Sequence, residues 1–317
     1  MFLLSYLVSV LMGGMIINYL RKLKVKQMIL EIGPDWHMKK QGTPTMGGII
    51  FLLGFLVGGV PTAIEWPHFW MVLLVTFGFG AIGFLDDYIK VTKVQNEGLK
   101  PLQKLAGQAL IVVIFVVYLV LTGLSETMYI PFVKGPVHVP FLIFIILLFI
   151  CMLGTVNGVN LTDGIDGLAG TVTVVVTVIM YVMSVLSGRT ELGHGVLCMM
   201  AGIIGFLVYN VNPAKVFMGD VGSLALGGFI ACVAYLLQAP LYIIIFGIVY
   251  LMETLSVILQ VGYFKLTHGK RLFKMSPIHH HFEKCGWSEN RIVFIFSTIA
   301  LIFGLIAVML YMDGVKP

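Results

Sequence analysis

The sequence predicts an all-α, polytopic integral membrane protein with about ten transmembrane helices. Three observations carry that expectation. Hydrophobic residues make up 59% of the 317 residues and charged residues 11%, less than half the roughly 25% charged content of a soluble domain. The apolar residues fall in continuous runs close to the ~20 residues a spanning helix needs, not in the roughly ten-residue alternating segments of an outer-membrane barrel. All but three of the 20 basic residues also fall on one set of alternate loops. This composition excludes a soluble enzyme, and its hydrophobicity excludes a disordered chain. In such a chain the net charge of +5 reports topology, and no nucleic-acid partner is expected.

The runs follow in order. The first, residues 2–20, precedes the basic stretch RKLKVK. A signal peptide has its charge before the apolar run, so a retained helix is expected. The others cover 47–62, 69–85, 102–122, 139–156, 168–187, 194–211, 223–238, 240–264 and 291–312. Gly-rich flanks blur the ends of the second and eighth. The ninth contains Glu253 and is expected to bend or break. Only Lys134, Arg189 and Lys316 fall outside the basic set of loops. By the positive-inside rule that set is cytoplasmic and both termini face outside. The whole chain, 1–317, reads as a single transmembrane domain. Its active-site loops are expected at about 21–46, 86–104, 157–167, 212–222 and 265–291. Three cysteines lie in apolar runs, and no cysteine spacing suggests a disulfide framework or a zinc site.

Five aspartates sit at membrane ends of the runs, where charge is costly and is a functional signal by default. Asp86 and Asp87, in GFLDDYIK with Lys90, repel each other unless a cation is near; a solvated helix end is the simpler alternative. TVNGVNLTDGIDGLAG, residues 155–170, holds Asn157, Asn160, Asp163 and Asp166 among four glycines, far more than a helix cap needs. In NPAKVFMGDVGSLALGG, residues 212–228, Asp220 meets the start of the eighth run. A helix N-terminus attracts phosphate, and a carboxylate there repels it unless Mg²⁺ stands between. Mg²⁺ takes one or two carboxylates together with phosphate oxygens. The second and third clusters together therefore read as a metal–diphosphate site at the inner membrane face.

The longest loop carries PIHHHFEKCGW. His279, His280 and His281 on an irregular loop would fan in different directions, suited to binding phosphate or to acid–base work. Glu253, deep in the ninth run, reads as a buried, paired structural carboxylate. No P-loop or dinucleotide fingerprint is present. Clustered Asp, Lys and His at one membrane surface fit phosphoryl transfer between a soluble phosphate compound and a lipid, which needs positioning and charge neutralisation.

Five motifs carry a specific resemblance: GTPTMGG (42–48), GFLDDYIK (83–90), VNLTDGIDGLAG (159–170), VFMGDVGSL (216–224) and PIHHHFEKCGW (277–287). In this order they resemble the phospho-N-acetylmuramoyl-pentapeptide transferase family, a branch of the polyprenyl-phosphate N-acetylhexosamine-1-phosphate transferases. The resemblance implies a Mg²⁺-dependent reaction of UDP-N-acetylmuramoyl-pentapeptide with undecaprenyl phosphate, giving lipid I and UMP in peptidoglycan synthesis. It also implies a homodimer in the bacterial cytoplasmic membrane, its active site facing the cytoplasm. By resemblance, Asp220 binds Mg²⁺. Asp86, with Asp87 beside it, is the base or lipid-phosphate positioner, and Asp163 assists at the metal–phosphate centre. His279 contacts the phosphates, while His280 and His281 shape the sugar-peptide side. Phe217 stacks on uracil, and Asn160, Asp166 and Asn210 line the nucleoside pocket. Lys90, Lys104 and Thr45 complete the substrate contacts, with Lys100 interchangeable with Lys104 from sequence alone.

A phosphate monoester is largely dianionic at pH 7, so direct attack of the lipid phosphate on the β-phosphorus is expected rather than a phospho-Asp intermediate. Trapping a phospho-sugar on Asp86 without acceptor would contradict direct attack. A sibling N-acetylglucosamine-1-phosphate transferase would share the Asp motifs. A secondary transporter would put its charges near the midplane, whereas these lie at one face.

Overall fold

The computed structural model describes residues 1–23, 42–93, 97–124 and 127–315. Lys24, Lys26, Lys39, Lys40 and Lys316, which contribute to the charge asymmetry, and the acidic Glu31 and Asp35 lie outside the described residues. The architecture is an all-α polytopic membrane fold; the described residues contain ten helices long and apolar enough to cross a bilayer. They are α1 (Phe2–Lys22), α2 (Gly48–Glu65), α3 (Phe69–Thr92), α4 (Pro101–Leu121), α5 (Phe141–Thr162), α6 (Leu168–Leu186), α7 (Thr190–Asn210), α8 (Gly219–Leu236), α10 (Ile248–Leu266) and α12 (Glu289–Val315). Two short helices, α9 (Ile243–Phe246) and α11 (Ile278–Glu283), lie between the last spans.

α8 is the axis of the bundle. It is apolar all round and rich in small residues, and a helix with that pattern belongs in a core. Every residue from Val221 to Leu236 is buried. Without a hydrophobic drive between helices in lipid, close backbone approach through small residues supplies the packing. A Cβ placed on Gly83 of α3 would stand 2.1 Å from the carbonyl oxygen of Asp220, and one on Gly227 of α8 would stand 2.4 Å from Cα of Val156 in α5. Glycine therefore lets α3 and α5 press directly on α8.

These helices run antiparallel to α8, so the C-terminal ends of α3 and α5 meet its N-terminus. Both ends of the described chain lie at the opposite end of the bundle. There Ser5 sits beside Gly58, some three turns from the start of α2, and the Gly135 N–H donates to the carbonyl of Gly314 at 3.0 Å. Among the described basic residues, all but Lys134 and Arg189 lie toward the carboxylate end.

The structure departs from the sequence expectations at four places. α5 continues to Thr162 instead of ending near 156, so half of the expected 157–167 loop is helix. Its polar residues are tolerated because each is paired: the Asn157 amide donates to Gln108 Oε1 at 3.1 Å and to the Leu153 carbonyl at 2.8 Å. α3 continues to Thr92, which puts Asp86 and Asp87 inside its last turns rather than at its end. The ninth run is broken, but at Gly247 and not at Glu253: a 3₁₀ turn, Pro240–Tyr242, and α9 precede α10. A small antiparallel hairpin, β1 (Thr127–Tyr129) and β2 (Pro136–His138), joins α4 to α5. Three-residue strands are too short to leave a readable alternation.

Candidate active site

Asp86, Asp87 and Asp220 converge where α3 meets the first turn of α8. Each offers a carboxylate oxygen, and these atoms lie within 4.8 Å of one another. The sequence coupled the second and third Asp clusters, and the structure adds the first to them. The second cluster enters through Asn160, whose amide donates to Asp220 Oδ1 and to Ser223 Oγ, both at 2.8 Å.

Two ammonium groups hold the carboxylates together. Lys90 Nζ lies 2.5 Å from Asp86 Oδ2 and 3.0 Å from Asp220 Oδ2, and Lys104 Nζ lies 2.8 Å from that same Asp220 oxygen. Lys90 is at i+4 from Asp86, the spacing that stacks side chains on one helix face. Lys100 sits at the N-cap of α4, so the structure separates it from Lys104. Backbone amides complete the cradle: Leu99 N–H donates to Asp86 Oδ1 at 2.8 Å, and Val221 N–H donates to Asp87 Oδ2 at 3.1 Å. We expect Lys104→Met to lower turnover about tenfold or more, the scale of a lost charge-assisted bond. Lys100→Met should stay near wild type; equal losses in the two variants would reject this assignment.

Gly219 opens α8 with φ +74°, and a Cβ there would stand 2.6 Å from Asp87 Oδ2 and 2.8 Å from Thr45 Oγ1. Only glycine gives that left-handed turn without steric cost. The segment before α2 is clasped to the same turn. Phe217 N–H donates to the Pro44 carbonyl, Gly47 N–H to that of Phe217, and Gly48 N–H to that of Met218, at 2.8, 2.8 and 2.9 Å. Thr45 is buried there and Phe217 is half-buried.

Asp163 follows the end of α5 and is half-buried. Desolvation, and then the negative charges of Asp220 and Asp87, push its carboxyl up to about 8. Asp166 and Asn210 are buried and tie loops together. Asp166 Oδ2 accepts from the Asn212 amide at 3.1 Å and from Ala214 N–H at 2.9 Å. Asn210 accepts from Gly167 N–H at 3.2 Å and donates to the Val216 carbonyl at 2.9 Å.

The histidines are not on an irregular loop. They occupy α11, entered through Pro277, whose fixed φ suits a helix start. His279 is fully buried, with Nδ1 3.1 Å from Glu253 Oε2. His280 Nδ1 lies 2.6 Å from Glu283 Oε2. His281 Nδ1 accepts from Lys274 N–H at 3.1 Å. Sequence reasoning gave no role to Glu289, whose Oε2 accepts from Asp166 N–H at 3.1 Å and from the Asn212 amide at 3.3 Å. It also missed Gln108, the partner of Asn157. A glutamine within an apolar run was the available signal; for Glu289, an ordinary first-turn acid of α12, no local signal exists.

The donor set is oxygen only. Three hard carboxylates gathered at a helix N-terminus, their charge met by two lysines, suit a hard divalent cation and phosphate oxygens. Together with this fold, the match of residues 69–238 to glycosyl transferase family 4 defines a membrane-embedded glycosyl transferase. Residues 40–52 match the phospho-N-acetylmuramoyl-pentapeptide-transferase signature 1. Proteins of that name from Bacillus thuringiensis (strain Al Hakam) and Bacillus cereus (strain AH187) are each 45% identical to this chain, over 96% of it and 94% of their own length. The chain belongs to the phospho-N-acetylmuramoyl-pentapeptide-transferase family.

Proposed function

We propose that the chain transfers phospho-N-acetylmuramoyl-pentapeptide from UDP to undecaprenyl phosphate, giving lipid I and UMP. The observation that carries this reading is the group of Asp86, Asp87 and Asp220 with Lys90 and Lys104, at the end of the bundle that gathers the basic residues. That end faces the cytoplasm of a bacterial inner membrane by the positive-inside rule, and both termini lie outside. The chain is one transmembrane domain with its working loops on the cytoplasmic side, and it acts as a homodimer through lipid-facing helices.

Asp220, with Asp86 and Asp87, would hold Mg²⁺, which when bound supplies charge neutralisation at the diphosphate. Lys90 and Lys104 already contact Asp220 and lie where they can meet phosphate oxygens. Asp86 orients the lipid phosphate, whose dianion attacks the β-phosphorus of the donor. The bond from that phosphorus to the bridging oxygen breaks, and UMP leaves with the electron pair. Phe217 stacks on uracil, and Asp166 and Asn210 hold the loops that frame the nucleoside. His279, His280 and His281 support the phosphate and sugar-peptide side.

The test is UMP release by detergent-purified protein from UDP-N-acetylmuramoyl-pentapeptide and undecaprenyl phosphate, with and without Mg²⁺. Mg²⁺-dependent release supports the reading. Release from UDP-N-acetylglucosamine alone moves the chain to a sibling activity, and release from neither donor, with folding verified, rejects transferase chemistry.

A proton signature follows from Asp163. With its carboxyl raised to about 8, it is mostly protonated at pH 7 in the metal-free protein. A cation nearby favours the carboxylate, so Mg²⁺ uptake at pH 7 should release up to one proton, and at pH 9.5 almost none. Titration calorimetry in two buffers of different ionisation enthalpy measures this. Equal proton release at both pH values would contradict it.

A further inference from the structure

Glu253 and His279 form a buried pair that the transfer chemistry above does not explain. Both side chains are fully buried, and Nδ1 and Oε2 lie 3.1 Å apart. The approach is an ion-pair contact without aligned hydrogen-bond geometry. Among the described residues, none of the four polar atoms of the pair has a hydrogen-bond partner. An isolated buried carboxylate is expensive, and so is an unserved imidazole. Among the described residues each is the compensation the other has, which sets the Nδ1 side of the ring against Glu253.

The other ring nitrogen faces the site. A Cβ built on Gly164 would stand 2.1 Å from His279 Nε2, so the Asp163–Gly164 backbone rests directly on the imidazole. No positive φ requires glycine at 164; the ring does. The neighbouring histidine repeats the arrangement, with Glu283 on Nδ1 of His280 and the two ring centroids 4.1 Å apart.

We infer that Glu253 is a positioning residue for His279: it takes the Nδ1 side of the ring and turns Nε2 onto the Asp163–Gly164 turn. A carboxylate on one imidazole nitrogen fixes tautomer and orientation for work at the other. The pair joins α10 to α11 and, through the ring, to the turn that follows α5. For its activity readout the inference rests on the functional reading above.

The experiment uses full-length protein in detergent and compares Glu253→Gln, His279→Asn and the double variant for UMP release. If Glu253 acts through His279, Glu253→Gln lowers kcat about tenfold or more, with KM for the nucleotide donor within about threefold. The double variant is then no slower than His279→Asn alone, since residues acting as one unit are not additive. Glu253→Asp, which keeps the acceptor one methylene back, recovers part of the kcat. Wild-type kcat in Glu253→Gln, or additive losses in the double variant, would overturn the inference. If Glu253→Gln cannot be extracted folded, Glu253→Asp takes its place in the same cycle.

The ring itself gives a readout independent of activity. In ¹⁵N-histidine spectra, the resonances that vanish in His279→Asn should show a protonated Nδ1 in the wild type. An unprotonated Nδ1 overturns the inference even if the donor proves to be another. Failure of the wild type to release UMP bears only on the functional reading.

Discussion

Asp220→Asn is expected to abolish Mg²⁺-dependent UMP release, by about 10²–10³-fold or more, the scale of losing one preorganised electrostatic group in a water-poor site. The expectation follows from how many groups converge on this carboxylate. Lys90 and Lys104 both bond Oδ2, and Asn160 bonds Oδ1. The amide of Asn keeps the volume but removes one acceptor and the charge. Lys90 would keep Asp86 and Asp87, Lys104 would lose the carboxylate it bonds, and the cation site would lose its carboxylate at the helix N-terminus. Measured kcat with saturating Mg²⁺ checks this. Activity within tenfold of wild type would remove Asp220 from the centre of the site.

The second large effect is expected from a residue that carries no charge. Gly83→Ala inserts a methyl group 2.1 Å from the Asp220 carbonyl oxygen and 2.6 Å from Val221 N. Both obstacles are backbone, so no side chain can rotate away and α3 must move off α8. Asp86 and Asp87 lie on the next turn of α3 and would move with it. A displacement near 1 Å in a catalytic arrangement costs on the order of 100-fold, and the overpacking itself about 1–3 kcal/mol. Gly262→Ala on α10, where a Cβ meets nothing within 4 Å, is the matched control and should leave activity unchanged. Turnover and thermal midpoint, measured on both variants, separate them. An active Gly83→Ala protein would show that the α3–α8 approach does not set the site.

Hydropathy made the ten spans legible because it is a local property, and each run carries its own signal. The same property misplaced the end of α5. Asn157 and Asn160 look like the start of a loop until Gln108 and Asp220 are seen to satisfy them, and those partners lie 49 and 60 residues away in sequence. The acidic motifs were legible as costly charges near a membrane, and the second and third could be grouped from sequence, but the place of the first could not. That Asp86 and Asp87 join Asp220 depends on α3 packing on α8, and the Gly83 contact decides that. The triplet His279–His281 drew notice as a composition, while its helical form and the burial of His279 against Glu253 depend on tertiary packing. Glu253 read correctly as a buried, paired carboxylate; its partner, 26 residues on, carried no local mark.

The central claim is that a sugar phosphate moves intact from a nucleotide to a lipid at the Asp220 end of the bundle. The most direct measurement follows the phosphorus. UDP-N-acetylmuramoyl-pentapeptide labelled with ³²P at the β-position is incubated with the purified protein, undecaprenyl phosphate and Mg²⁺, and the lipid and aqueous phases are then separated. The account predicts label in the lipid product and unlabelled UMP in the aqueous phase, with neither change in Asp220→Asn. Label remaining in the aqueous phase while UMP is released would contradict it.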